Sequence, residues 1–179
     1  KMDMGRMFGF AYGSKENGAV FCHMAVMYAY ALYLRGYAKE GWKVLSQLYL
    51  QSSAFHRSGI LPGVPEYFDL KGRGMYPYLT GAGSWMMLTM QTRVFGIRGD
   101  SGDLLLNPML TAEQFDENGQ AAMECRFNGR KLRVVLSNPR KLDWGEYAIE
   151  SVEVNGQAFP CGDEHFRVSR KDLPDDVPC

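Results

Sequence analysis

Apolar positions along this chain fall into two textures. Residues 19–34 form an apolar run with small residues on several sides, which predicts a helix buried on more than one face. Gly36 stops it, and Tyr37 is loop. Residues 38–51 place Trp42, Leu45, Leu48 and Tyr49 at helical spacing. A third apolar segment, residues 85–95, reads as a helix ending near Gly96 or Gly99. The intervening residues 52–78 are rich in Gly and Pro. Loops that long inside compact domains are usually functional or disordered, and Tyr67, Phe68, Tyr76 and Tyr78 argue for order.

From about Asp100 the pattern shortens. Short strands are predicted at residues 104–106, 121–127, 131–137, 147–154 and 166–168. Asn128-Gly129 and Asn155-Gly156 are hairpin-turn pairs. The alternation from Met123 to Phe127 suits a strand with one wet face. Helices first and strands after predict an α+β chain, with an α part at 1–99 and a β part at 100–179. There is no internal repeat.

Composition narrows the function classes. The 179 residues carry zero formal net charge, which gives no electrostatic case for nucleic acid or an anionic membrane. No run is apolar enough to span a bilayer, since Arg35, Lys39 and Glu40 interrupt the best one. The four cysteines (Cys22, Cys125, Cys161, Cys179) form no CxxC pair, and there are only three His, so no metal centre is expected. Scattered cysteines in a chain this long read as reduced thiols of a cytoplasmic protein. The chain opens on Lys1 and stops at Cys179 after a polar, Pro-containing stretch, so a piece of a longer protein is expected.

Three motifs in the α part could carry chemistry. In the first, Lys15-Glu16-Asn17-Gly18 leads into a helix with His23 near its start. Glu16 can accept hydrogen bonds from sugar hydroxyls, and His23 can donate one to an anion. A helix-entry turn with a core histidine would have the same sequence. In the second, Glu66-Tyr67-Phe68-Asp69 runs into Gly72-Arg73-Gly74-Met75-Tyr76. Arg73 between two glycines suits an anionic partner or is simply solvated, and Glu66 could bind a hydroxyl or pair with a neighbour. In the third, Tyr78-Leu79-Thr80-Gly81-Ala82-Gly83-Ser84-Trp85 precedes the third helix. Thr80 is a good N-cap, and small residues leave open the backbone N–H groups that can hold a phosphate; an ordinary capped helix is the plainer alternative.

In this order, and followed by Val94-Phe95-Gly96-Ile97-Arg98-Gly99 and Gly102-Asp103-Leu104-Leu105-Leu106, the motifs resemble the C-terminal part of the inverting glycoside phosphorylases of the cellobiose phosphorylase type, glycoside hydrolase family 94. The resemblance runs from about Gly5 to Gly156. It implies the last helices of an (α/α)6 barrel, residues 1–99, passing into a C-terminal antiparallel β-sandwich, residues 100–179. It also implies cleavage of a β-glucosidic disaccharide by phosphate, with inversion, to an α-sugar 1-phosphate.

On that resemblance His23, Thr80 and Gly81 would bind phosphate and Glu16 the sugar, with Arg73 and Glu66 as acceptor-site candidates. The family's general acid is an Asp well upstream of Lys15-Glu16-Asn17-Gly18, so no catalytic residue is expected in this chain, which should not turn over alone. Inorganic phosphate is the co-substrate, no cofactor is implied, and a homodimer is. Many members carry Glu-Pro-Tyr-Val with a Gln soon after, where this chain has Glu66-Tyr67-Phe68-Asp69, so the disaccharide is open. A non-catalytic carbohydrate-binding or interaction module, or a hydrolase with the same barrel, are the alternatives.

Overall fold

The computed structural model describes residues 5–61, 63–77, 80–159, 161 and 166–173. Tyr78 and Leu79 of the third motif, and Cys179, lie outside the described residues. The chain is mixed helix and small antiparallel sheet, and it divides into two compact units, Lys1–Thr89 and Met90–Cys179.

Among the described residues the first unit holds four α-helices, one of them a single turn. α1 (Cys22–Leu34) and α2 (Ala38–Ser53) pack together through matching stripes. Cys22, Val26, Ala29 and Tyr33 are buried on α1, and Ala38, Gly41, Leu45 and Leu48 on α2, each at alternating three- and four-residue steps. The other sides of α1 are apolar as well: Met24, Met27, Tyr28 and Leu34 are exposed. α1 starts at Cys22 and not at residue 19, because Val20–Phe21 is drawn into a strand, β1.

The Gly/Pro-rich stretch is ordered over most of its length. It holds the short helix α3 (Phe55–Ser58) and strands β2 (Tyr67–Phe68) and β3 (Gly74–Met75). β1 pairs with β2 and β2 with β3, all antiparallel. Cys22 donates its N–H to the Glu66 carbonyl at 2.9 Å, which fixes the start of α1 against this small sheet.

The remaining helix of this unit, α4 (Gly81–Thr89), packs on α1. It begins at Gly81, four residues before the expected Trp85. Thr80 caps it at once, its Oγ1 accepting from the Ala82 N–H at 3.2 Å. Gly81 and Ala82 are therefore first-turn residues, and Ala82 is fully buried.

In the second unit the chain makes a π-helical turn, Met90–Val94, closed by the Phe95 N–H on the Met90 carbonyl at 2.9 Å. β4 (Ile97–Asp100) and β5 (Asp103–Leu106) follow, and β10 (Phe166–Val168) adds to β5, giving the order β10-β5-β4. Ile97, Leu104, Phe166 and Val168 form its buried face. Arg167 pairs with Asp103 at 3.0 Å and with Asp100. Gly96 sits at φ +66°, where a side chain would overlap the Asn107 carbonyl; the two backbones are joined by the Asn107 N–H on the Gly96 carbonyl at 3.1 Å.

β6 (Gln120–Phe127) and β7 (Arg130–Ser137) form the hairpin expected around Asn128-Gly129, whose φ values of +50° and +81° are those of a tight twisted turn. β8 (Val152–Val154) and β9 (Gln157–Phe159) pair likewise around Asn155-Gly156. The strand expected over 147–154 is only Val152–Val154. Tyr147 instead pins the loop at Leu110. Its hydroxyl accepts from the Leu110 N–H at 2.9 Å and lies 3.0 Å from the Leu110 carbonyl.

Candidate functional site

The first and third motifs meet. His23 is the second residue of α1, and its imidazole packs directly on Gly81: a Cβ there would lie 2.6 Å from Nδ1 and 2.7 Å from Nε2. Trp85, one turn further along α4, holds its ring 6.2 Å from the imidazole, and Tyr30 meets Trp85 edge-on at 5.4 Å. His23 Nε2 is buried and has no hydrogen-bond partner among the described residues. A buried donor or acceptor without a partner costs about 1–3 kcal/mol. A ligand at the mouth of α4 would remove that cost, and the same mouth offers first-turn N–H groups.

The first and second motifs also meet. The turn that carries Glu16 is closed by the Gly13 N–H on the Asn17 carbonyl at 2.7 Å, and Asn17 Nδ2 donates to the Phe10 carbonyl at 2.8 Å. Lys15 stands at φ +47°, an uncommon conformation for a side-chain-bearing residue. Its ammonium lies 3.4 Å from Glu66 Oε2 and over the Tyr76 ring, 4.6 Å from the centroid. Glu66 is set by its own N–H on the Met75 carbonyl at 3.1 Å, and its carbonyl receives Cys22 beside His23. Glu16 lies 4.0 Å from Arg6. Glu16 Oε2 and Glu66 Oε2 are buried with no hydrogen bond among the described residues. Three of the sequence-predicted residues thus share one property, a buried polar atom left without a hydrogen bond.

Arg73 is different. Its Nε donates to Asp69 Oδ2 at 2.8 Å, its N–H donates to Oδ1 at 2.9 Å, and the Lys71 N–H does the same at 2.9 Å. Burial raises the pKa of the Asp69 carboxyl, but the hydrogen bonds from Arg73 and Lys71 outweigh it and hold the group below the usual carboxylate range. Arg73 therefore closes its own turn. It also lines an open depression of about 390 Å³ with His56, Arg57, Ser58, Gly59, Gly74 and Met75.

Cys22, next to His23, is no nucleophile: burial pushes its thiol up to about 12. Among the described residues no three His, Cys, Asp or Glu side chains gather as metal ligands, and no helix is long and apolar enough to cross a membrane. Sequence reasoning overlooked Trp85 as the ring beside His23, Arg6 near Glu16, and Phe10 under Arg6 and Lys15. Their signal was slight, since Trp85 is one more apolar residue of a helix and Arg6 and Phe10 precede the motif.

No family model matches the chain. Curated relatives do. It is 26% identical over 157 residues to the 3-O-beta-D-glucopyranosyl-beta-D-glucuronide phosphorylase of Paenibacillus borealis, which covers 82% of this chain and 19% of the relative. It is 29% identical over 120 residues to the cellobionic acid phosphorylase of Neurospora crassa, covering 60% of this chain and 15% of the relative. It is 26% identical over 151 residues to the cyclic beta-(1,2)-glucan synthase NdvB of Rhizobium meliloti, covering 79% of this chain and 5% of the relative. The chain spans less than a fifth of the length of each of these relatives. At low identity but over most of its own length, the chain is similar to glycoside phosphorylases and to a β-glucan synthase.

Proposed function

We propose that this chain is the phosphate-binding part of an inverting disaccharide phosphorylase. Phosphate sits between His23 and the Thr80–Gly81 mouth of α4, and Glu16 holds the sugar under attack. The observation that carries this reading is the His23 imidazole packed on Gly81 with Nε2 buried and unsatisfied. The similarity to phosphorylases supports it independently.

The chemistry suits these residue types. In inverting hydrolysis one carboxylic acid protonates the leaving oxygen and a second carboxylate activates water. Phosphate is already a nucleophile, so donors that position it replace the second carboxylate. A phosphate oxygen forms a bond to the anomeric carbon on the face opposite the leaving sugar. The carbon–oxygen bond to that sugar breaks, and its oxygen takes a proton from an Asp upstream of this chain. Each hydrogen bond to the phosphate contributes about 1.5–3 kcal/mol. On this reading the chain alone does not turn over. The exposed apolar side of α1 (Met24, Met27, Tyr28) fits a helix with further neighbours, as in the end of an (α/α)6 barrel, with the second unit as the start of a β-sandwich.

The test is sugar release by the complete protein with and without phosphate. Formation of an α-sugar 1-phosphate only when phosphate is present is expected. Release of free sugar without phosphate would replace this reading with a hydrolase.

A further inference from the structure

Three basic side chains line the open depression beside β3. His56 and Arg57 come from α3, and Arg73 from the connection between β2 and β3. Gly59 and Gly74 line it as well and add no side chain to fill it, and no carboxylate is among its lining residues.

The three are not equally engaged. Arg73 reaches Asp69 through Nη2 at 2.7 Å and donates to it through Nε at 2.8 Å. The carboxylate thus holds the guanidinium in place and leaves its Nη1 donors over. The side chains of His56 and Arg57 are exposed and make no hydrogen bond or ion pair with any described residue. A helix dipole favours cations near a C-terminus. But α3 is a single turn, Phe55–Ser58, too short to account for two of them, and Arg73 is not on it.

The size and the donors select a ligand class. A depression of about 390 Å³ takes a small molecule. A carboxylate is met in full by one guanidinium fork. A phosphate group carries about two charges and three strong acceptor oxygens, so it can meet donors from two elements at once.

We propose that the His56–Arg57–Arg73 depression binds a phosphate group, free or carried on a small molecule, with Asp69 positioning Arg73. The site shares no residue with the His23–Gly81 mouth and does not depend on the phosphorylase reading.

The test is equilibrium dialysis of the complete protein against labelled inorganic phosphate and, separately, labelled glucose 6-phosphate. Arg57→Gln should weaken one class of phosphate site by at least about tenfold, the scale of one charge-assisted contact. His56→Gln should weaken the same class, and Arg57→Lys should recover part of the loss. Both residues are exposed, so the variants should fold with unchanged unfolding midpoints. His23→Ala should leave this class untouched. Tighter binding of glucose 6-phosphate than of phosphate would support a phosphorylated sugar as the ligand, and the reverse order would support free phosphate. Glucuronate, a carboxylate of similar size, should not compete. Competition by glucuronate equal to that of glucose 6-phosphate would overturn the proposal. So would binding of both ligands unchanged in Arg57→Gln, or loss of every phosphate site in His23→Ala.

Discussion

The His23 imidazole occupies the space where a Gly81 side chain would be. An added Cβ would stand 2.6 Å from Nδ1, well inside contact distance, so the ring would have to move. Gly81→Ala should not harm the helix, because alanine is favoured over glycine there by up to ~1 kcal/mol. On the proposed function the two effects separate. Thermal stability is expected to change by less than about 2 kcal/mol, the helix gain offsetting part of the cost of displacing the ring. The KM for phosphate should rise by about tenfold or more, the equivalent of one charged hydrogen bond. Unfolding curves and phosphate titrations of the same variant check both.

Glu16 offers a second separation of stability from function. Its Oε2 is buried without a hydrogen bond, and its contact with Arg6 is long. Neutralising it as Glu16→Gln removes a poorly compensated charge. Stability should change by less than ~1 kcal/mol in either direction. Sugar binding should fall by at least about tenfold, since a carboxylate accepts from hydroxyls more strongly than an amide. Calorimetry of the sugar with the variant would measure the second effect, and denaturant midpoints the first.

Much of the fold is legible in the sequence, for reasons that differ by residue. Asn128-Gly129 and Asn155-Gly156 announce their hairpins because few pairs tolerate two successive positive φ values. Ser101-Gly102, with φ of +54° and +93°, makes the same kind of turn between β4 and β5. Its signal is masked because β4 lies hidden in the run after the third helix. The strand expected over 147–154 is too long because the Tyr147 hydroxyl, not its backbone, makes the contact that matters. The pairing of Lys15 with Glu66 is illegible, since the two lie far apart along the chain and only the β1–β2 register brings them together. His23 and Thr80 stand out by type and order; the packing of the imidazole on Gly81 is a three-dimensional fact.

Tyr147 contributes to the alkaline pH response of the second unit. Burial raises its hydroxyl from the ordinary 10 to about 12. The folded unit therefore holds this proton more tightly than the unfolded chain. The stabilisation is complete below pH 10 and is lost as pH rises from 10 through about 12. Tyr147→Phe leaves the buried Leu110 N–H without its acceptor, at a cost of about 1–3 kcal/mol. It should also flatten the alkaline loss, read from urea midpoints of both proteins at about pH 8 and about pH 11, on either side of the ordinary tyrosine value.

The exposed apolar residues of α1 and α4 predict the behaviour of this chain in isolation. Met24, Met27, Tyr28, Met87 and Leu88 face solvent. Patches of this kind associate. Light scattering should find this chain larger than a monomer, and charged substitutions at Met24 and Met27 should reduce the association.

Gly96 carries a consequence for how this sequence can drift. The Asn107 carbonyl fills the position of its missing side chain, and the obstruction is backbone, which no rotamer change can clear. Alanine is excluded there as firmly as tryptophan. In a selection over all twenty amino acids at position 96, scored only for folding, one letter should survive, and compensating changes at position 107 should not widen the choice.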